Sequence, residues 1–461
     1  MKHKIKNIHF IGIGGVGMSG IAEVFHRLGY NVSGSDIQKS AVTERLVQLG
    51  VKVFIGHKEE NIIESQVIVV SSAIDSDNVE LIASYRLGKT VLPRAMMLSE
   101  LMRFKYGIAI AGTHGKTTTT SLCAETLQIC GIDPTFIVGG KLASSGTNAI
   151  LGSSDILIAE ADESDASILY LNPVISVITN IDLDHMETYN YDENKLIQTF
   201  IDFLHRLPFY GTAILCYEDH RVRSIIDKVK RPIITYGFSS ECDIQATDIK
   251  FINQKMHYNL NIPKRNINQK IILNLHGEHN ILNSLAVIAV ALELECSLVD
   301  ITTSFLNFHG VGRRCQRYKD IEWGNNKVLL IDDYAHHPNE LKATLNGLSK
   351  SYSDNDMILI FQPHRYTRTR DLFDDFVYIL SKIKTVIILE IYGAGETPIP
   401  NINGKTLVDS IKTKGGNKVF FVSTLEEAKD LVFKLIKNND LVITMGAGNI
   451  GKLPTMLLQR D

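Results

Sequence analysis

Phosphate chemistry is written most plainly into Gly112-Thr113-His114-Gly115-Lys116-Thr117-Thr118. The apolar run Ile108-Ala-Ile-Ala111 ahead of it reads as a strand. Behind it Cys123, Leu127 and Cys130 recur at i, i+4 and i+7, and Gly131 marks a helix end. A strand, a glycine-bracketed loop and a helix N-terminus make an anion cradle. Backbone N–H groups face the charge, Lys116 adds a point charge, and the Thr117 hydroxyl suits Mg2+. The general pattern wants its first glycine where this chain has Ile110, and a tight turn with an exposed lysine is the plain alternative. The hydroxyl run after Lys116 favours the cradle, because a helix start needs only one cap.

Two further runs end in chemistry. Asp155-Ile-Leu-Ile-Ala-Glu160 leads to Asp162, Glu163 and Asp165, and Val174–Asn180 leads to Asp182, Asp184 and His185. Acids and a histidine at two strand ends, beside a lysine-threonine loop, suit Mg2+, which needs only one or two carboxylates besides phosphate oxygens. Solvated loop acids are the alternative, above all for Asp162, Glu163 and Asp165. His279, Asn280 and Asn283 open a helix. They could read an adenine edge, and capping explains them equally well.

Near the amino terminus the strand Asn7–Ile11 runs into Gly12-Ile-Gly14-Gly15-Val-Gly17, which fits G-x-G-x-x-G. A helix with Ile21, Val24, Phe25 and Leu28 on one face follows. Asp36, after a second strand, sits where an acid reaches a nucleotide ribose. Ser71 and Ser72 follow the strand Gln66–Val70 at another ligand-facing edge. The glycines do not decide between NAD, FAD and a nucleoside diphosphate sugar. In the last third, apolar runs alternate with helical patterns. Their ends carry Asp332-Asp333-Tyr334-Ala335-His336-His337, then Gln362-Pro-His364-Arg365-Tyr-Thr-Arg368-Thr-Arg370, then Tyr392-Gly-Ala-Gly395-Glu396. Three arginines and a histidine in seven residues suit a carboxylate or a phosphate. A charged, solvated helix start is the alternative.

The elements that must position these groups form more than one core. The 461 residues predict an α/β protein of three domains: a Rossmann-like domain over 1–95, a central P-loop-type domain over 96–311, and a second Rossmann-like domain over 312–461. Gly310-Val-Gly312-Arg313-Arg314 reads as the hinge before the last. Hydrophobic content of 44% and charged content of 21% are those of a globular protein, and a net charge of −3 argues against nucleic acid as the partner. No apolar run reaches ~18 residues, so no membrane span is expected. No secretory leader is visible, and the six scattered cysteines lack a CxxC pair, so a cytoplasmic protein with reduced thiols is expected.

These segments together resemble the Mur ligase family over essentially the whole chain. The stretches that carry the resemblance are GIGGVGMSG, GTHGKTTTT, AEADESD, TNIDLDHMETY, GEHNILNSLA, GVGRR, DDYAHHP, FQPHRYTRTR and YGAGE. It implies a ligase that couples ATP hydrolysis to amide formation. A substrate carboxylate takes the γ-phosphoryl group as an acyl phosphate, and an amine then displaces phosphate. HRYTRTR favours the branch adding L-alanine to UDP-N-acetylmuramate, in peptidoglycan precursor synthesis, over the one reattaching murein peptides.

By the same resemblance, Gly14, Gly15 and Gly17 hold the diphosphate, with Asp36, Ser71 and Ser72 near the uridine. Gly112 to Thr118 cradle ATP, with Lys116 on the β- and γ-phosphates. Thr117 and Glu160 hold one Mg2+ and His185 serves a second. His279, Asn280 and Asn283 form the adenine site. Arg313, Asp333 and His336 reach the ATP ribose and phosphates, and Tyr334, Arg365 and Arg368 hold L-alanine. Lys116, Glu160, His185 and Arg365 are then the catalytic groups, and a monomer or weak homodimer is expected. Ala335 stands where this branch usually has glycine, Cys315 where an aromatic is usual, and no lysine is placed like the carbamylated lysine of several sister ligases. A nicotinamide oxidoreductase would leave the Lys116 loop and the arginines unexplained. A pure ATP-switched binding module would not need both Glu160 and His185.

Overall fold

Strand runs separated by helical patterns build parallel sheets, because each crossover helix must cover a sheet face. The computed structural model describes residues 5–71, 73–138, 149–318, 321–323, 326–415 and 418–459 and has three such sheets. Ser72, expected near the uridine, lies outside the described residues.

In the first sheet β1 (Asn7–Ile11), β2 (Asn31–Asp36), β3 (Lys52–Ile55), β4 (Val67–Val70) and β5 (Thr90–Pro93) run parallel in the order β3-β2-β1-β4-β5. The order reverses between β1 and β4, the switch point at which such sheets open a crevice for a ligand. The glycine loop follows β1 and Ser71 follows β4, so both lie at that crevice. The helix Arg94–Arg103 leads on to the central sheet.

That sheet holds β6 (Tyr106–Ala111), β7 (Thr135–Ile137), β8 (Ala149–Ile150), β9 (Ile156–Glu160), β10 (Ile175–Ile178), β11 (Thr212–Cys216) and β12 (Ile233–Gly237). The strand β6 lies between β10 and β9, parallel to both, with Ala111 opposite Ile178 and Ile110 opposite Glu160. The loop after β6 therefore has an acid-bearing strand end on each side. Segment 241–275, whose loose alternation reads as hairpin filler, becomes β13 (Ile244–Ile252), β14 (Lys255–Ile262) and β15 (Ile267–Leu273). These extend the sheet beyond β12 to ten strands, with β15 as the edge.

The third sheet is built on β16 (Gln316–Arg317), β17 (Ile321–Trp323), β18 (Asn326–Asp333), β19 (Met357–Phe361), β20 (Thr385–Leu389), β21 (Lys418–Val422) and β22 (Leu441–Met445). Its path is β16-β18-β22-β19-β20-β21, parallel from β18 onward, with β17 antiparallel on β18. Alternate residues serve opposite cores, as a sheet covered on both faces requires. Leu329, Ile331, Leu359 and Phe361 pack into one. Leu330, Ile358, Ile360 and Val442 pack into the other. At ~1.5–3 kcal/mol for each large side chain fully buried, these runs supply the main favourable term.

The chain divides into two compact units. One comprises residues 1–252, 256–274 and 280–309 and holds the first two sheets; the other comprises 253–255, 275–279 and 310–461 and holds the third. Within the first unit one buried apolar cluster runs from Ile8 and Phe10 through Met97 and Leu101 to Ala109 and Leu157. All six cysteines are free of disulfides.

Candidate active site

The phosphate loop bends because two glycines adopt backbone angles that other residues rarely take. Gly112 has φ +123°, and Gly115, the N-cap of the helix Lys116–Ile129, has φ +83°. A side chain at Gly115 would also come 2.7 Å from Asn283 Oδ1. The loop is stapled to the end of β10. Asn180 accepts from the His114 N–H at 2.8 Å and donates back to the His114 carbonyl at 2.9 Å. His114 Nε2 pairs with Asp182 at 3.0 Å, and the Asp182 N–H donates to the Thr113 hydroxyl at 2.8 Å.

Lys116 is half-buried and fully engaged. Its Nζ donates to the carbonyls of Gly112 (2.6 Å) and Thr113 (3.2 Å) and to both carboxylate oxygens of Glu163 (3.0 and 2.8 Å). Burial opposes its charge, but Glu163, Asp162 and Glu160 outweigh burial and hold its pKa above the ordinary lysine value. Burial pushes the Glu163 carboxyl upward, with Lys116 pulling against it. Glu163 is thus no solvated loop acid; it is 3% exposed. Asp162 and Asp165 are turn residues, accepting the N–H groups of Ser164 and Ser167. The hydroxyl run is not all cradle either. Thr117 and Thr118 lie in the helix's first turn, whereas Thr119, Thr120 and Ser121 are turned wholly into the interior.

The donors near this loop suit a hard cation. Thr117 offers a hydroxyl one position after Lys116, and Glu160 ends the neighbouring strand. His185, on the other flank, is held at φ +54°. Its N–H donates to Asp184 Oδ1 at 2.9 Å, and its ring stands 3.6 Å from the same carboxylate. Asn280 and Asn283 are buried and bonded to each other at 3.0 Å. His279 is kept neutral by burial, with a lowered pKa.

In the first domain the glycine loop is closed by Asp36, whose Oδ2 accepts the Gly14 N–H at 2.8 Å. Asp36 therefore shapes the loop besides facing the crevice. Gly15 caps the helix Val16–Arg27. A methyl group at Gly17 would lie 3.0 Å from the Arg94 guanidinium, and that arginine also reaches Asp162 at 3.5 Å. Ser71 lies against Gly12 in the same crevice.

In the third domain Arg313 donates to Asp332 (3.0 Å) and to the Gly446 carbonyl (2.6 Å), and both Arg313 and Arg314 lie on the Tyr334 ring. Both Asp333 oxygens accept backbone N–H groups, from Cys315 and Ala335. Arg313 and Asp333 thus fix the turn that presents Tyr334. His336 Nδ1 lies 3.0 Å from the Tyr334 carbonyl, and its ring sits near His364. Arg365 and Arg368 do not share a helix face. Arg365 is the N-cap of the six-residue helix Tyr366–Asp371, with φ +71°, and stands 3.6 Å from Glu396. Arg368, buried within that helix, lies 3.4 Å from His364 Nδ1. The run His364–Arg370 carries no signal for this positive φ. Arg94 was not singled out by type or spacing, and Glu163 was read only as one of the acids near a metal site, not as the partner of Lys116. Asn180 was visible as the polar end of an apolar run.

Comparison with known proteins identifies the family. Residues 7–106 match the Mur ligase family catalytic domain, residues 110–291 the Mur ligase middle domain, and residues 313–448 the Mur ligase glutamate ligase domain. The UDP-N-acetylmuramate–L-alanine ligase of Burkholderia pseudomallei is 50% identical over 460 residues, covering 100% of this chain and 99% of that protein. The UDP-N-acetylmuramate-alanine ligase MurC of Thermotoga maritima superposes with a TM-score of 0.83 at 26% identity, over 98% of each chain. A murein peptide ligase from Psychrobacter arcticus shares the fold, with a TM-score of 0.71 at 22% identity over 98% of each chain. With all three domains matched in order, the chain belongs to the Mur ligase family.

Proposed function

We propose that the chain is an ATP-dependent ligase that joins L-alanine to the carboxylate of UDP-N-acetylmuramate, releasing ADP and phosphate, in peptidoglycan precursor synthesis. The observation that carries this is the phosphate loop set between two acid-bearing strand ends, with a second anion-binding crevice in the first sheet. Full-length identity to the Burkholderia enzyme supports the choice of substrates. The glycine loop, Asp36, Ser71 and Ser72 take the UDP moiety. Gly112 to Thr118 hold the ATP phosphates, Lys116 neutralises the transferring group, and Asn280, Asn283 and His279 take the adenine. Arg313, Asp333 and His336 serve the ribose and phosphates, and Tyr334, Arg365 and Arg368 take L-alanine.

Thr117 and Glu160, with His185 for a second ion, would hold Mg2+, which when bound neutralises phosphate oxygens. The chain's own contribution is positioning and charge. Transfer to a carboxylate crowds negative oxygens together, so donors fixed beforehand lower the barrier without a covalent nucleophile. An acyl phosphate formed on the sugar carboxylate would then be opened by the alanine amine. Among the described residues no helix is long and apolar enough to cross a membrane. We assign the reaction to the cytoplasm. The test is amide formation from UDP-N-acetylmuramate and ATP with a panel of single amino acids and murein peptides. L-alanine should give the highest kcat/KM. Turnover with the peptides alone would overturn the assignment.

A further inference from the structure

We propose that Glu163 is a positioning residue for Lys116: its carboxylate occupies the lysine in place of phosphate and gives it up when nucleotide arrives. The inference rests on the nucleotide site proposed above and deepens it.

An ammonium has three N–H bonds, and Lys116 has four acceptors within 3.2 Å. A phosphate oxygen can be reached only if one of these is released. The carbonyls of Gly112 and Thr113 belong to the loop itself, four and three residues before the lysine. Glu163 comes from the end of another strand, 47 residues on, so it is the separable partner. It is also held from behind. Its backbone carbonyl accepts from the Tyr189 hydroxyl and from the Ala166 N–H. Its neighbour Asp162 is fixed by Ser164 and reaches Arg94. The carboxylate therefore stays beside the cradle after the lysine turns away. Buried at 3% exposure, it remains a competing anion, and leaving it unpaired beside Asp162 is costly. Nucleotide binds against that cost, and in exchange the lysine is kept inside the cradle.

The test uses the full chain with E163Q and E163D. A non-hydrolysable ATP analogue with Mg2+ is titrated by calorimetry, and KM for ATP is measured with the other substrates saturating. E163Q removes the competing charge and should bind the analogue about three- to tenfold more tightly, with KM for ATP falling and no matching rise in kcat. E163D keeps the charge and should stay near the parent's affinity. A merely structural glutamate would instead raise KM and lower kcat together. Unchanged or weaker binding by E163Q overturns the proposal, as does equal tightening by E163D. If E163Q fails to fold, Y189F tests the same point by freeing the Glu163 backbone. It should tighten binding about twofold, in the direction of E163Q, and weaker or equal binding overturns the proposal. If the parent binds UDP-N-acetylmuramate but no adenine nucleotide, the nucleotide site itself is wrong and the proposal falls with it.

Discussion

Lys116 and Arg368 are the two cations whose removal separates the proposed sites. Lys116→Ala should nearly abolish ATP turnover while UDP-sugar binding persists, because the two ligands are assigned to different sheets. A charge aimed at a transferring phosphate is worth on the order of 3–4 kcal/mol in barrier. Calorimetric loss of UDP-sugar affinity in parallel with the ATPase would contradict that separation. Arg368 is 7% exposed, with Nη1 directed at His364, whose ring stacks on Tyr392. A planar guanidinium meets a carboxylate in two-pronged fashion and an ammonium does not. Arg368→Lys should therefore raise KM for L-alanine about ten- to a hundredfold, ~1.4–3 kcal/mol, and KM for ATP far less. Steady-state kinetics varying each substrate alone would show the reverse pattern if the arginine held phosphate. His185→Ala should raise the Mg2+ needed for half-maximal rate; a titration that superposes on the parent's would make His185 structural.

Strand ends were the legible part of the site. Apolar runs have visible limits, so Glu160, Asp182, His185, Ser71 and Asp333 could each be placed at a sheet edge from sequence. Strand order was not legible, because periodicity reports burial and not neighbours. Nothing local says that β9 lies beside β6, and that adjacency brings Glu163 to Lys116. Arg94 reached the glycine loop unnoticed for the same reason.

Another unforeseen group is Glu80, on the helix Val79–Arg86. Fully buried, it faces His57 Nδ1 (3.0 Å) and accepts from Asn61 (2.6 Å), from the Lys58 N–H (3.2 Å) and from the Ser35 hydroxyl, with His9 at 3.7 Å. Burial works against its charge. The contact with His9 and hydrogen bonds from Ser35 and Asn61 prevail and lower its pKa from 4.5 to about 2. A carboxyl depressed on folding stabilises the protein above its unfolded value and loses that contribution as pH falls through the folded one. Glu80→Gln should thus cost up to ~3 kcal/mol near neutrality, and the gap to the parent should close between about pH 5 and pH 2. A pH-independent gap in chemical denaturation would show that Glu80 acts through packing alone.

Two units that each bury their own core should report separately on ligands. UDP-N-acetylmuramate alone, at about a hundred times its Kd, should stabilise the unit carrying the first two sheets by ~2.7 kcal/mol and leave the other transition in place. Differential scanning calorimetry in which both transitions move equally would contradict that. The pairing of β9 with β6 has a different kind of consequence, for changes of length rather than of residue. Side chains alternate faces along a strand, so one residue inserted within Ile156–Glu160 would turn Glu160 to the opposite side of the sheet and displace everything that follows it. Insertions and deletions among relatives of this chain should therefore be missing from the short stretch between Ile156 and His185.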